Sequence, residues 1–244
     1  MSYDIDPKFG VPSDPMPYIN PGPGVFVPSD PIDQMPYISN TQPVKQPPMH
    51  SFMGGFLTGA AIDEDVREGL ILIEPYDPAN LNPNSYNLSI GDTMLEYKGN
   101  DYLHNKYNEN ELQYMVDLKN PISNISEIKI PEDGFILKPG KLYLIATKET
   151  IGSDYYIPMI TGRSSLGRVG VSVHQEAGFG DIGYHGKWTL QVTVTIPTKI
   201  YPNMKMAQMY MVVPSGDTSM KYYGKYQNSS EAQCSKIAKD FYTK

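Results

Sequence analysis

The sequence is short of cysteine and of positive charge. Cys234 is the one cysteine in 244 residues, which excludes an internal disulfide framework and any zinc site built from several cysteines. Lys and Arg number 20 against 27 Asp and Glu, a formal net charge of −7. A binder of duplex nucleic acid normally carries a broad basic face, so we expect no such partner.

Long apolar runs are also missing. No stretch approaches the ~20 residues that span a bilayer, and the N-terminus lacks the basic-then-apolar pattern of a signal peptide. We therefore expect no membrane partner and no secretion by a signal peptide, which leaves the cytoplasm or a virion as the location.

Metal-binding patterns are absent too. His174 and His185 do not stand at metal-ligand spacing with any cysteine, which excludes a zinc deaminase of the Cys/His type. We predict no protein-bound metal.

Proline, by contrast, is abundant and unevenly spread. Twelve of the 22 prolines fall in residues 1–50, where fixed φ angles and missing N–H donors oppose both helix and central strand. We predict an extended Pro-rich arm over residues 1–50 and a folded β domain over residues 51–244.

The arm contains a tandem repeat. The segment VPSDPMPYI at 11–19 returns as VPSDP at 27–31 followed by MPYI at 35–38. Composition alone favours a disordered linker. Because the repeat preserves a specific sequence and not only a composition, we infer that the arm docks onto a protein assembly. Its apolar contact residues are Tyr18, Ile19, Tyr37 and Ile38.

The rest of the chain reads as a β protein. One short helix is predicted at 62–70, with acids in its first turn. Short apolar runs separated by Pro, Gly and Asn predict many strands, and hence an all-β barrel or sandwich. These runs lie at 71–73, 134–137, 142–145, 189–196 and 206–213. The polar stretch 98–113 is interpreted as an insertion.

Three segments carry chemical groups. GRSSLGR at 162–168 could cradle an anion, although a turn with a surface ion pair has the same composition. AGFGDIGYHG at 177–186 offers a carboxylate that could orient water and a ring that could stack on a base, or it is an ordinary tight hairpin. KYQ at 225–227 adds a cation, a ring and an amide.

The order of these segments resembles the order of motifs in a known family. NPNSYNLSIGD at 82–92, LKPG at 137–140 and GRSSL at 162–166 precede the glycine-rich segment, and NMKMAQ at 203–208 and KYQ follow it. This resembles the dCTP deaminase/trimeric dUTPase superfamily, above all its dCTP deaminase-like and bifunctional branch, over about residues 56–237. The resemblance implies a distorted β-barrel or jelly roll that forms a homotrimer, with active sites between subunits.

The resemblance also assigns site residues. It implies catalytic roles for Ser164 and Arg168, and for Asp181 as the group that positions the attacking water. Tyr184 matches an aromatic position near the sugar. The matched nucleotide-binding positions are Arg163, Ser165, Tyr184, Gln208, Lys225, Tyr226 and Gln227. Magnesium in the family is carried by the triphosphate, so no other cofactor is expected.

Two positions depart from the family pattern. Deaminating members have a glutamate general base ten residues after the aspartate, where this chain has Gln191. An amide cannot accept the proton. Loss of a general base lowers the reaction rate by ~10²–10⁴. Asn87 likewise replaces a usual aspartate.

Two functions therefore remain open from the sequence. The one we favour at this stage is a structural or binding homotrimer on a dCTP deaminase-like fold, without deaminase activity. Its arms would dock onto a large assembly of the viral capsid decoration or head-fibre type. The alternative is a nucleotide-processing enzyme that hydrolyses dUTP or, with less support, deaminates dCTP.

Overall fold

The computed structural model describes residues 54–97 and 116–242. The predicted arm at 1–50, with Tyr18, Ile19, Tyr37 and Ile38, lies outside the described residues, as does the predicted insertion at 98–113. These expectations therefore stay predictions.

Strands are the main regular structure of the described chain. They are β1 Gly55–Phe56, β2 Leu72–Glu74, β3 Leu81–Asn82, β4 Ser85–Tyr97, β5 Ile125–Lys129, β6 Phe135–Leu137, β7 Tyr143–Gly152, β8 Ile157–Gly162, β9 Val171–Ser172, β10 His185–Val194, β11 Thr198–Ile200 and β12 Lys205–Val213. The helices are α1 Gly59–Arg67, α2 Ser164–Gly167 and α3 Lys239–Tyr242, with a 3-10 turn at Pro78–Asn80. The predicted mainly-β fold class is confirmed.

Ten of the twelve described strands form one curled antiparallel sheet. Its central path runs β1-β12-β4-β7-β10-β9, with β2 on β7, β3 and β5 on β4, and β8 on β12. Strands β6 and β11 form a separate pair. Strands β4 and β7 lie in the middle of the path, so each can be covered on both faces. In β4, residues 86–90 are all buried, without the alternation of buried and exposed side chains that a half-exposed strand shows.

The core lies between the faces of this curled sheet. Its largest buried side chains include Tyr86, Leu88 and Ile90 of β4 and Ile145 of β7, with Met209 of β12 packed among them. Apolar area removed from water on both faces of the central strands stabilises the fold and fixes their register.

A carboxylate is buried within this core. Glu149 of β7 is only 2% exposed, and its two oxygens accept from the Ser89 backbone N–H at 3.2 and 3.0 Å. Burial raises the pKa of the Glu149 carboxyl, because a charged group is disfavoured away from water.

Helix α1, the longest helix in the described part of the chain, begins earlier than the sequence predicts. The Thr58 side chain caps α1 by accepting from the Ala61 N–H at 3.3 Å, so the helix starts at Gly59 rather than Ile62. Gly69, with φ of +72°, follows the helical end. The error in the predicted helix start comes from the overlooked Thr58 cap.

Strand β10 carries the irregularity that shapes the candidate site. Its pairing with β7 shifts between Lys187 and Thr189, which leaves Trp188 at a bulge. The Trp188 N–H donates instead to Thr147 Oγ1 at 2.9 Å. Bulges of this kind redirect side chains next to functional sites.

Candidate functional site

A cleft of about 870 Å³ lies beside β10. Its walls are the segment 177–184 before β10, the neighbouring ends of β7 and β10, and the C-terminal segment 222–240 that follows β12. This volume lies within the ~300–1,000 Å³ range of small-molecule sites.

The turn before β10 presents a carboxylate to the cleft. Asp181 is exposed and lines the cleft, and its side chain has no hydrogen-bond or ion-pair partner among residues 54–97 and 116–242. The turn is closed by the Tyr184 N–H, which donates to the Asp181 carbonyl at 3.2 Å. Gly183 has φ of +88°, a conformation that glycine adopts without strain. The Asp181 carboxylate is therefore available to hold water.

The upstream arm of the predicted hairpin is not a regular strand. Phe179 makes an isolated bridge to Met159 of β8, and the Gly180 N–H donates to the Pro158 carbonyl at 2.9 Å. A Cβ at Gly180 would lie 2.4 Å from the Trp188 ring. Glycine at this position lets the backbone approach the ring.

Tyr184 forms an aromatic wall of the cleft. Its ring packs edge-on against Trp188 and Tyr222, each at 5.7 Å between centroids. Its hydroxyl donates to the Lys187 carbonyl at 2.7 Å. Burial raises the pKa of Tyr184 to about 12, so the phenol is neutral at ordinary pH and acts as a rigid surface rather than as a base.

Gln191 also lines the cleft, eight positions after the turn on Gly183. It pairs across the sheet with Leu144 of β7. Its Oε1 accepts from the backbone N–H of Gln175 at 3.0 Å. The position that the family resemblance gives to a general base therefore holds a fixed neutral amide.

The C-terminal segment is held against β10 by Gln227. Its Oε1 accepts from the His185 N–H at 3.0 Å, and its Nε2 donates to the Gly183 carbonyl at 2.7 Å. The Ser229 carbonyl accepts from the Lys187 N–H at 2.7 Å. Gln227 thus acts through the backbone of the turn that carries Asp181, and it is not one of the cleft-lining residues.

Lys225 and Tyr226 lie in the cleft on the same segment. Lys225 Nζ contacts both oxygens of Asp240 at 2.7 Å, and hydrogen bonding to that carboxylate raises the pKa of Lys225. The Tyr226 hydroxyl accepts from the Lys236 N–H at 2.9 Å. These contacts connect α3 to the cleft wall.

The arginine-and-serine segment does not reach this cleft. Arg163 precedes α2, and its Nη1 donates to the Lys205 carbonyl at 3.0 Å. Ser164, Ser165 and Arg168 are exposed on the surface. Gln208 lies on β12, between Thr161 of β8 and Asn87 of β4. None of the cleft-lining residues comes from 163–168 or from β12.

The structure therefore brings together five predicted site residues and leaves six apart. Those that line the cleft are Asp181, Tyr184, Gln191, Lys225 and Tyr226. Those outside its lining are Arg163, Ser164, Ser165, Arg168, Gln208 and Gln227. Sequence reasoning missed Lys187, Tyr222, Lys239 and Asp240, which also line it. The YYGKY sequence at 222–226 could have indicated Tyr222, because it places this ring close to the predicted contact residues Lys225 and Tyr226.

Within the described chain, no three His, Cys, Asp or Glu side chains are grouped as metal ligands. The described helices are also all too short or too polar to cross a membrane.

Comparisons with known proteins agree with the strand pattern and motif order. A family model described as dCTP deaminase-like matches residues 56–212. A protein of Clostridium beijerinckii named "dCTP deaminase, dUMP-forming" is 43% identical over 185 residues, which is 76% of this chain and 98% of that protein. One of the same name from Cytophaga hutchinsonii is 41% identical over 171 residues, or 70% and 90% of the two chains.

A solved structure also shares the fold. The 2'-deoxycytidine 5'-triphosphate deaminase from Agrobacterium tumefaciens matches with a TM-score of 0.50 and 17% identity. The match covers 66% of this chain and 48% of that one, so the aligned part spans about half of that protein. At this identity the likeness concerns the fold.

The preferred functional prediction from sequence is wrong. A structural homotrimer docked on a viral capsid does not agree with relatives that are more than 40% identical over 70% or more of the chain and carry enzyme names. The capsid, head-fibre and virion assignments have no support in these relatives. The error came from weighing two amide-for-acid replacements and a proline-rich arm above the rest of the motif series.

Proposed function

Because the chain belongs to the dCTP deaminase-like family, as the motif order predicted, we propose that it is an enzyme of pyrimidine deoxynucleotide metabolism that hydrolyses dUTP to dUMP and pyrophosphate. The observation that carries this proposal is the unpaired Asp181 carboxylate on the wall of the 870 Å³ cleft. Such an enzyme acts on the deoxynucleotide pool, for which the cytoplasm is the expected location.

In this proposal Asp181 orients the water that attacks the α,β-phosphoanhydride. An ionised carboxylate can accept a hydrogen bond from that water and take up its proton as the bond to the leaving pyrophosphate breaks. The exposed position of Asp181 leaves its oxygens open to water. Lys187, Lys225 and Lys239 line the same cleft and supply positive charge for the phosphates.

The arginine-and-serine segment completes the site from a neighbouring subunit of a homotrimer. Ser164, Ser165 and Arg168 are exposed and lie outside the cleft lining of their own chain. An exposed guanidinium suits contact with a triphosphate presented by a second copy. Magnesium would enter as part of the substrate, neutralising phosphate charge.

Deamination of dCTP is the second candidate, favoured by the name of the relatives. Gln191 argues against it, since an amide cannot take the proton from a water attacking cytosine C4. A dUMP-forming reaction combines deamination with hydrolysis of the triphosphate. This chain has a carboxylate suited to hydrolysis, Asp181, but has Gln191 where deamination needs one. We therefore expect ammonia release to be slower by ~10²–10⁴ than with a carboxylate there.

Product release by the full chain tests the proposal. We expect pyrophosphate from dUTP with magnesium, and a loss of ~10²–10⁴ in kcat for Asp181→Asn with little change in nucleotide affinity. Asp217→Asn is a matched control, because Asp217 is exposed and, among the described residues, its carboxylate accepts hydrogen bonds from Ser219. Absence of pyrophosphate release from dUTP, or an Asp181→Asn variant as active as the control, would contradict the assignment.

A further inference from the structure

The two parts of the cleft lining differ in polarity. Gln191 lies opposite Leu144, which is 5% exposed, and Leu142 and Ala177 line the same cleft. The cationic groups come instead from Lys187 at the bulge and from the C-terminal segment. Apolar walls with one neutral polar group suit a base, whereas cations suit phosphates.

The orientation of the Gln191 amide is fixed by the chain itself. The Gln175 backbone N–H can only donate, so the atom 3.0 Å from it must be the carbonyl oxygen Oε1. Gln175 is itself held against β10, because its side-chain Nε2 donates to Thr193 Oγ1 at 3.0 Å. The Gln191 side chain therefore cannot turn its oxygen towards the cleft without losing the Gln175 bond.

This geometry leaves a donor for the ligand. With Oε1 occupied, the remaining polar atom of Gln191 is Nε2, which has no hydrogen-bond partner among residues 54–97 and 116–242. Nε2 carries two N–H donors and no acceptor. A ligand group that meets it must be an acceptor, since a second donor there would be left unpaired at a cost.

We propose that Gln191 is a specificity-determining residue that selects uracil over cytosine by donating from Nε2 to the base. The inference rests on the proposed function, since it takes the ligand to be a pyrimidine deoxynucleotide. Uracil and cytosine differ at N3 and at C4, and at C4 uracil has a carbonyl acceptor where cytosine has an amino donor. The proposal places Nε2 at C4, because the family resemblance gives position 191 to the general base for attack on that atom. The amide-for-acid replacement thus removes a general base and also creates a site for the uracil edge.

Exchange of the amide for a carboxylate should reverse the preference. In Gln191→Glu, one oxygen still accepts from the Gln175 N–H, and the other presents an acceptor to the base. That acceptor matches the cytosine amino group and opposes the uracil carbonyl. Gln191→Met keeps the length of the side chain and removes both polar atoms, so it should discriminate weakly.

The test is calorimetric titration of the full-length protein with the non-hydrolysable α,β-imido analogues of dUTP and dCTP. We expect the unaltered protein to bind the dUTP analogue at least about tenfold more tightly, and Gln191→Glu to shift that ratio at least about tenfold towards the dCTP analogue. Asn84→Asp is the control, as an exposed amide-to-acid change outside the cleft, and should keep the original ratio.

The outcomes separate the two proposals. Equal affinities in the unaltered protein, or an unchanged ratio in a folded Gln191→Glu variant, overturn the role of Gln191 and leave dUTP hydrolysis standing. Failure of the unaltered protein to bind either analogue overturns the proposed function, and the selectivity inference with it. Unfolding of the variants, checked by thermal denaturation, leaves the ratio in the unaltered protein as the deciding measurement.

Discussion

Asn87 illustrates how a departure from a family pattern can be structural. It is buried, and its Nδ2 donates to the Asn80 carbonyl and to Asn82 Oδ1, both at 3.2 Å. Asn82 is held in that orientation because its own Nδ2 donates to Ser85 Oγ at 3.1 Å. The local network therefore requires a donor at position 87, and an aspartate would place an acceptor against two acceptors.

We expect Asn87→Asp to lower the free energy of unfolding by about 1–3 kcal/mol at neutral pH, because buried polar groups would lose their partners. Urea denaturation measures the change. Asn84→Asp, the same replacement at an exposed neighbouring turn, should stay within about 0.5 kcal/mol of the original protein. Equal stability of the two variants would show that the Asn80 and Asn82 contacts rearrange freely.

Glu149 makes a pH-dependent contribution to stability. Burial raises its pKa above the ordinary value of 4.5, so the folded state binds more protons than the unfolded state between these two values. The contribution of Glu149 therefore falls as pH rises from about 4.5 through the raised pKa. We expect Glu149→Gln to flatten this part of the stability curve, measured as Tm against pH. A Glu149→Gln variant with the same slope as the original protein would contradict this assignment.

Some site residues were predictable because they are close in sequence. Asp181, Tyr184 and Gln191 lie within eleven residues, on one turn and the strand that it feeds, so their shared cleft follows from local geometry and motif order. Asp240 was not predictable. Asp240 contacts Lys225, which lies fifteen residues earlier, and the segment between them contains no strand. Irregular segments have no hydrophobic periodicity, so their contacts cannot be predicted from sequence pattern.

At the scale of elements, the five predicted apolar runs each correspond to a strand, but their lengths were not predicted, and the central strand β4 was missed. The apolar run at 142–145 marks β7, but the strand continues to Gly152 through Thr147 and Glu149, which are polar and buried. Tertiary contacts override the local pattern there, since Glu149 is paired with the backbone of β4. The predicted helix was displaced for the opposite reason, because a local signal, the Thr58 cap, was overlooked.

The C-terminal segment is an element held by side-chain contacts, and Gln227 is central to them. Gln227→Glu keeps an acceptor for the His185 N–H and loses the donor to the Gly183 carbonyl. We expect backbone amides at 221–229 to exchange hydrogen about tenfold faster or more. Gln233→Glu is the control, because it loses a local bond from Nε2 to the Glu231 carbonyl but keeps the bond from its backbone N–H to Thr189 Oγ1. Equal exchange in both variants would exclude Gln227 as the anchor.

At the scale of the whole molecule, one chain does not contain the complete proposed site. Asp181 faces the cleft, while Arg168 is exposed elsewhere and its guanidinium has no ion-pair or hydrogen-bond partner among the described residues. A cyclic trimer has three equivalent contacts in which one surface of a subunit meets a different surface of the next. Such an arrangement can present the 163–168 segment of one copy to the cleft of another.

Subunit mixing tests this arrangement directly. Asp181→Asn and Arg168→Ala homotrimers should each be inactive towards dUTP. In a mixed trimer, an Arg168→Ala chain still supplies Asp181 and an Asp181→Asn chain still supplies Arg168. A site shared between neighbours is therefore intact when the first chain provides the cleft and the second provides the arginine. Random reassembly of equal amounts should therefore restore about a quarter of the original activity. If both residues acted within one chain, every site would retain one defect and mixing would restore nothing, even though light scattering reported trimers.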